Sequence, residues 1–365
     1  MKISIKKSLF LEKINTATKF TSHKIGTPQA LQGIYIKCEK GIMSIYSTNL
    51  SYYFSTSIQV KNEGCEPFLI DPKKISEFLN LLEQEDILIE KEEKQIVISQ
   101  GKTRGAFSLF QSGDFPLPPK INPNESTIKN EFFKKNIPLI LFSSSKDDSR
   151  PVLSGVNFIK LDEGLTIVST DGFRLSLIKL ENKEQIKNML IPAEFLNEVV
   201  YYVYDVETVG FSFSETEKAV LFTVGEDNFY SRLIDGEFPP FEKVIPTEVK
   251  TTVNVDTGEF IRGIKLIAVF ARDQSNIIMC DFKKDGLWMR PKIATGNENS
   301  TQIDIDLDGE EQRVAFNYKF LLDLLNNTKG EKISIEILRP DAPVVFRVLK
   351  NKDFMHIIMP VRIQE

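Results

Sequence analysis

Apolar positions in this chain come in short runs, each closed by a charged turn that carries glycine. The pattern is written out more than once. From Gly33 the chain reads GIYIKCEKGIMSIYSTNLSYYFS, and from Gly155 it reads GVNFIKLDEGLTIVSTDGFRLSL. Each is an apolar run, a charged turn with Gly, a second run ending in Ser-Thr, a polar pair and a third run. That order predicts antiparallel strands joined by tight turns, with Asp171-Gly172 a hairpin signal. A third version, NIIMCDFKKDGLWMRP, keeps strand, charged turn and strand. The turn glycines Gly41, Gly164 and Gly286 are spaced 123 and 122 residues apart. Landmarks at one spacing in three places predict an internal repeat rather than three unrelated domains.

Helices are predicted after each strand cluster. DPKKISEFLNLLEQE offers Asp71 as N-cap and Pro72 at the first helical position. IPAEFLNEVVYYV puts Pro192 in the same role, and FNYKFLLDLLNNTKG has Asn317 as cap with Gly330 past the end. A helix is also predicted at the opening of each copy. MKISIKKSLFLEKINTATKF reads as a structural helix, with Phe10, Ile14 and Ala17 in a stripe, rather than as a leader. In the second copy Pro138 is expected to interrupt that helix. Proline-marked linkers fall at 120–128 and 246–252, dividing the chain into domains 1–124, 125–248 and 249–365. The expected class is α+β, two helices covering one face of antiparallel sheet in each domain.

Composition narrows the function. Cys38, Cys65 and Cys280 are odd in number and far apart, which fits buried thiols in a reducing, cytoplasmic setting. No run of 18 apolar residues exists, so no membrane helix is expected. With only His23 and His356, a histidine triad or metal cluster has little to draw on. No phosphate-loop, dinucleotide, zincin or Cys-x-x-Cys motif occurs. Asp147-Asp148 and the IDIDLDGEE segment are carboxylate pairs on turns and strands, and no nucleophile accompanies Asp171 and Arg174. No cofactor or metal is expected, and an enzyme is disfavoured.

The net charge of −5 argues against nucleic acid by its total, but a local basic stripe matters more. Lys13 and Lys24 are eleven residues apart and would face one way if the first helix persists. Lys135 and Lys146 repeat them at a displacement of 122, and Arg262, Lys265 and Arg272 follow at i, i+3 and i+10. With Arg150, they are the candidate phosphate-facing residues, a track that binds backbone without reading bases.

Taken together, the threefold repeat, LSGVNF before STDGFRLSL, LIDGEFPPFEKVIP and the ending IIMPVRI resemble the β subunit of bacterial DNA polymerase III, the sliding-clamp family. The Thr-Asp-Gly-x-Arg-Leu element and the Met-Pro-x-Arg ending carry most of the likeness. The resemblance implies a head-to-tail homodimeric ring with helices inside and sheets outside. It would encircle duplex DNA and tether the replicative polymerase α subunit, with no chemistry of its own. A clamp loader and repair and translesion polymerases would bind through short peptides.

By the same resemblance, the client pocket would hold Leu153, Thr170, Gly172, Phe173, Arg174 and Leu175. Pro239, Lys243 and Val244 would join them, as would Met359, Pro360, Val361 and Arg362. The first copy has STNLSYYF at the aligned place and loses both Gly and Arg, so one pocket per chain is expected. Phe173, Lys243 and the Gln364-Glu365 tail depart from the family pattern and bear on client preference. For the dimer joint, the resemblance suggests Phe107 and Leu109 meeting Val269 and Phe270, with Lys74 and Arg104 near Asp304 and Asp306. A clamp-like scaffold with a restricted client set is the alternative reading. A metal-dependent enzyme acting on nucleic acid comes third.

Overall fold

The computed structural model of the chain describes residues 2–362, except 23, 62–63, 112, 124, 148, 163, 183–185, 274, 294–298, 329 and 331. The Cys65 side chain is also outside the description. His23, Asp148 and Gln364-Glu365 therefore lie outside the described residues.

The first copy runs β1 (Lys2–Lys6), α1 (Lys7–Thr18), α2 (Gln29–Gln32), β2 (Ile34–Glu39), β3 (Ile42–Thr48), β4 (Tyr52–Gln59) and β5 (Gly64–Ile70). It continues α3 (Pro72–Leu81), β6 (Asp86–Lys91), β7 (Gln95–Gln100) and β8 (Thr103–Ser108). The second is β9 (Ser126–Lys129), α4 (Asn130–Leu141), β10 (Gly155–Lys160), β11 (Gly164–Thr170), β12 (Arg174–Glu181) and β13 (Met189–Pro192). It ends with α5 (Ala193–Tyr202), β14 (Thr208–Ser214), β15 (Ala219–Val224) and β16 (Asp227–Arg232). The third is β17 (Thr251–Asp256), α6 (Thr257–Ala271), β18 (Ile277–Lys283), β19 (Gly286–Pro291), β20 (Thr301–Ile303) and β21 (Asp306–Gly309). It closes with β22 (Gln312–Asn317), α7 (Tyr318–Asn327), β23 (Lys332–Ile337), β24 (Val344–Val348) and β25 (Asn351–Ile358).

The chain forms two compact units, residues 1–130 with 201–233, and 131–200 with 234–365. The division runs through the second copy. In the first unit β9, β14, β15 and β16 join the first copy in an eight-stranded sheet, ordered β5-β2-β3-β4-β16-β15-β14-β9. In the second, β10 to β13 join the third copy in a nine-stranded sheet, ordered β13-β10-β11-β12-β25-β24-β23-β17-β21. Each unit adds a four-stranded sheet, β1-β6-β7-β8 in the first and β20-β19-β18-β22 in the second. Aliphatic side chains from alternate strand positions and from one helix stripe make the cores.

The caps at α3 and α7 follow the expectation. Asp71 accepts the Lys73 N–H and Asn317 the Lys319 N–H, each worth about 1 kcal/mol to its helix. Pro192 ends β13 just before α5. The chain opening differs from the helix expected of it. Lys-Ile-Ser-Ile-Lys alternates with period two, so β1 buries Ile3 and Ile5 opposite Ile89 and Ile87, and the helix starts only at Lys7. Strands open the other two copies as well. Nor does Pro138 interrupt α4, because Phe133, Ile137 and Ile140 stay buried along one side and hold the helix through it.

The shared face of Lys13 and Lys24 is not realised, because α1 ends at Thr18 and α4 at Leu141, so Lys24 and Lys146 lie beyond their helices. The phase also shifts by one. Buried Phe10, Ile14 and Ala17 correspond to Phe133, Ile137 and Ile140, a spacing of 123 rather than 122. Lys13 is thus the counterpart of Asn136, and Lys135 that of Glu12.

Candidate peptide-binding site

The turn between β11 and β12 is fixed by its two polar residues. Thr170 Oγ1 donates to the Arg174 carbonyl at 2.6 Å and accepts the Gly172 N–H at 3.0 Å. Asp171 Oδ1 accepts the N–H groups of Phe173 and Arg174 at 2.9 and 3.0 Å. Gly172 takes a φ of +91°, the region that favours glycine.

The turn then aims Arg174. Its Nε donates to Asp171 Oδ2 at 3.0 Å, and its Nη1 donates to Asp323 Oδ2 on α7 at 2.6 Å. The guanidinium stands 4.6 Å over the Phe320 ring and 5.8 Å from that of Phe142. Only 10% of the Arg174 side chain is exposed. Phe173, by contrast, is 62% exposed. Its carbonyl accepts the Met359 N–H at 2.8 Å, continuing the β12–β25 ladder into the chain's last residues.

Below the turn runs a buried polar chain. Ser143 Oγ and Ser176 Oγ are 2.7 Å apart, and Ser176 Oγ is 2.9 Å from His356 Nδ1. The His356 ring is wholly buried beside Phe142 and Phe346, and its Nε2 has no hydrogen-bond partner. Burial, seconded by the Arg174 charge, holds its pKa well below the usual histidine value. It is a neutral imidazole.

Leu175 and Val244 meet in one apolar cluster with Val168, Leu177, Phe241 and Ile357. Leu153 is buried in the 3-10 turn Pro151–Ser154, which packs against β10 and β11. Pro239 and Lys243 are exposed on the segment leading through the 3-10 turn Phe241–Val244, and Arg362 is exposed. Met359 and Pro360 are half-buried. Val361 packs elsewhere, against Ile277, Met279 and Ala315 of the third copy's sheet. Sequence reasoning missed Phe142, Phe320, Asp323 and the Ser143–Ser176–His356 chain. Nothing in the sequence links Arg174 to a carboxylate 149 positions away.

Among the basic residues, Lys24, Lys135, Lys146, Arg150, Arg262, Lys265 and Arg272 are exposed, and Lys135 pairs with Glu131. Lys13 differs. Its ammonium is held by Asp227 at 2.9 Å and Glu12 at 3.0 Å, with little exposure. Burial alone would lower its pKa, but the Asp227 bond and charge hold it above the ordinary lysine value. Of the joint residues, Phe107 packs edge-on to Phe78, Arg104 pairs with Glu92, and Lys74, Val269, Phe270, Asp304 and Asp306 are exposed. Leu109 is half-buried. Among the described residues no group of acidic, Cys or His side chains gathers to hold a metal. No helix there is long and apolar enough to cross a membrane.

Solved structures with this fold are DNA polymerase sliding clamps. That from Bacillus subtilis is 25% identical, with a TM-score of 0.90 over the whole of both chains. The DNA polymerase III β chain from Streptococcus pneumoniae is 26% identical, with a TM-score of 0.90 over 99% of this chain and 100% of its own. Models of the N-terminal, central and C-terminal domains of the DNA polymerase III β subunit match residues 1–119, 127–240 and 242–362, and the chain belongs to that family. The β sliding clamp of Streptococcus pneumoniae serotype 4 is 28% identical over 378 residues, 98% of either chain. That of Staphylococcus epidermidis is 23% identical over 99% of either chain. The chain is accordingly a DNA polymerase processivity factor, a non-catalytic part. The third reading, a metal-dependent enzyme acting on nucleic acid, is thereby set aside.

Proposed function

We propose that two copies of this chain close head to tail into a ring around duplex DNA, and that the turn at 170–174 captures client peptides. One observation carries the ring. β16 pairs with β4 and β25 pairs with β12, the last strand of one copy meeting the fourth strand of another. β8 and β20 hold these same two places in their copies, and each has a neighbour on one side only. A second chain offering β20 to β8, twice over, satisfies both edges and leaves neither open. Phe107 on β8 and Leu109 just past it, and the exposed Val269 and Phe270 on α6, would be its apolar anchors. Lys74 and Arg104 would face Asp304 and Asp306.

Domain limits near 124 and 248 accompany this reading. The exposed Lys24, Lys135, Lys146, Arg150, Arg262, Lys265 and Arg272 would contact phosphates, and Lys13 is dropped from that set. Clients in the cytoplasm, polymerase and loader among them, would insert apolar side chains beside Leu175 and Val244, with Met359 and Pro360 at the wall. Exposed Phe173 enlarges that wall, which supports the second reading of a narrower client set. Small-angle scattering with light scattering tests the ring. A hollow particle at twice the 41.7 kDa chain mass is expected, and Phe107→Asp should halve that mass. A compact monomer of the unaltered chain would overturn the ring.

A further inference from the structure

The first unit holds a cavity of about 1120 Å³ bounded by α1, the end of α5, the β15–β16 turn and the outer ends of β3 and β4. The Lys13–Asp227 ion pair is part of its lining. Asp227 is 8% exposed, and its Oδ1 has no hydrogen-bond partner although it is buried. A buried carboxylate oxygen without a donor is costly, so a donor arriving there would be strongly favoured.

The rest of the lining points to the same chemistry. Glu12, Asp205 and Glu226 bring the carboxylates to four against two ammoniums, that of Lys13, already bound by Asp227 and Glu12, and that of Lys19 above the Tyr201 ring. Tyr201 and Tyr204, 68% and 52% exposed, also line the groove. The Lys19 ammonium sits 4.6 Å above the Tyr201 ring, so this chain's own cation covers that face and the carboxylates are left for a partner. Leu9, Ile42 and Val206 add apolar surface to the acids in the lining. A phosphate or a nucleic acid would be repelled here.

We propose that this groove docks a basic segment of a partner protein, with Lys or Arg side chains against the carboxylates and aliphatic residues on Leu9 and Ile42. Two features favour a peptide over a free polyamine. The volume exceeds the roughly 300–1,000 Å³ of small-molecule pockets. The apolar surface added to the acids also suits side chains that alternate, which an unbranched polyamine lacks. This docking is separate from client capture at Arg174 and stands whether or not that reading holds.

The test is fluorescence anisotropy on the full chain with a labelled Lys-Leu-Lys-Leu-Lys peptide. Asp205→Asn with Glu226→Gln, both exposed positions, is expected to weaken binding about tenfold. Glu248→Gln with Asp353→Asn removes equal charge elsewhere and should leave affinity unchanged. Equal weakening in that pair would reduce the effect to general attraction and overturn the site. Displacement of the peptide by spermidine at equal concentration would also overturn it, making a free polyamine the occupant.

Discussion

The turns at 48–52 and 170–174 are one piece of backbone used for different ends. Thr48 Oγ1 donates to the Tyr52 carbonyl and accepts the Leu50 N–H, both at 2.8 Å. Asn49 Oδ1 accepts the N–H groups of Ser51 and Tyr52. Bond for bond this repeats Thr170 and Asp171. Even the strand beyond matches, since Arg232 N–H donates to Ser51 as Met359 N–H donates to Phe173. Underneath, everything changes. Phe54 faces Phe229 where Ser176 faces His356, and Phe20 holds the place of Ser143. Three rings in contact, with centroids 5.4 to 5.8 Å apart, become a chain of two serines and a histidine. Turn shape follows from a Thr-Asx pair. Function follows from what the next residue reaches, and only the second turn has Arg174, Asp323 and Phe320 to work with.

The largest expected effect therefore falls on Arg174. Arg174→Ala removes a guanidinium held by two carboxylates and leaves the largely buried Asp171 without its cation. A loss of about 2 kcal/mol, some thirtyfold in client-peptide affinity, is expected. Tyr52→Ala, the same place in the first turn, should leave that affinity unchanged. Titration of a labelled client peptide against both variants decides it. Equal affinities would mean that the second turn is no more a binding site than the first.

The polar chain under the second turn gives a smaller effect, with a sign. An unfolded histidine titrates near about 6.5, whereas native His356 stays neutral well below that. As pH falls below about 6.5 the unfolded chain takes up a proton that the native one refuses. Stability from this site is complete above about 6.5 and drains away as pH falls toward the native pKa, at up to about 1.4 kcal/mol per pH unit. Phe229 has no such dependence. Urea melts of the parent and of His356→Phe at pH 7 and 5.5 should diverge, with the variant gaining at the lower pH. Parallel losses in both would show that His356 is protonated in the folded state.

The repeat, the two helix caps and the Thr-Asp-Gly turn could all be read in the sequence, because each depends on neighbours a few residues apart. The split of the second copy between two sheets could not. β12 pairs with β25 and β16 with β4, and local pattern does not name a partner strand. Register was misread for a related reason. Charges at Lys13 and Lys135 matched at 122, but the buried stripe, which decides phase, matches at 123. Surface charges tolerate such a slip and core positions do not. Asp323 and Asp227 stayed hidden because each meets its cation only after the chain has folded across more than a hundred positions.

The smallest effect tests the shared backbone itself. Leu50 holds a φ of 76° and Gly172 one of +91°, so both turns need the left-handed region. A side chain there costs about 1–2 kcal/mol, while glycine gives back about 0.5–1 through the freedom it loses on folding. Leu50→Gly should therefore stabilise the first turn by about 0.5 kcal/mol, since the leucine is half-exposed and little burial is lost. Gly172→Ala should destabilise the second by a similar amount. A Cβ there would meet only the Arg150 Nη1 at 3.9 Å, so strain and not a clash sets the effect. Paired urea melts with opposite signs would establish that the two turns carry one conformational requirement. A loss in both would mean that the Leu50 side chain contributes contacts worth more than its strain.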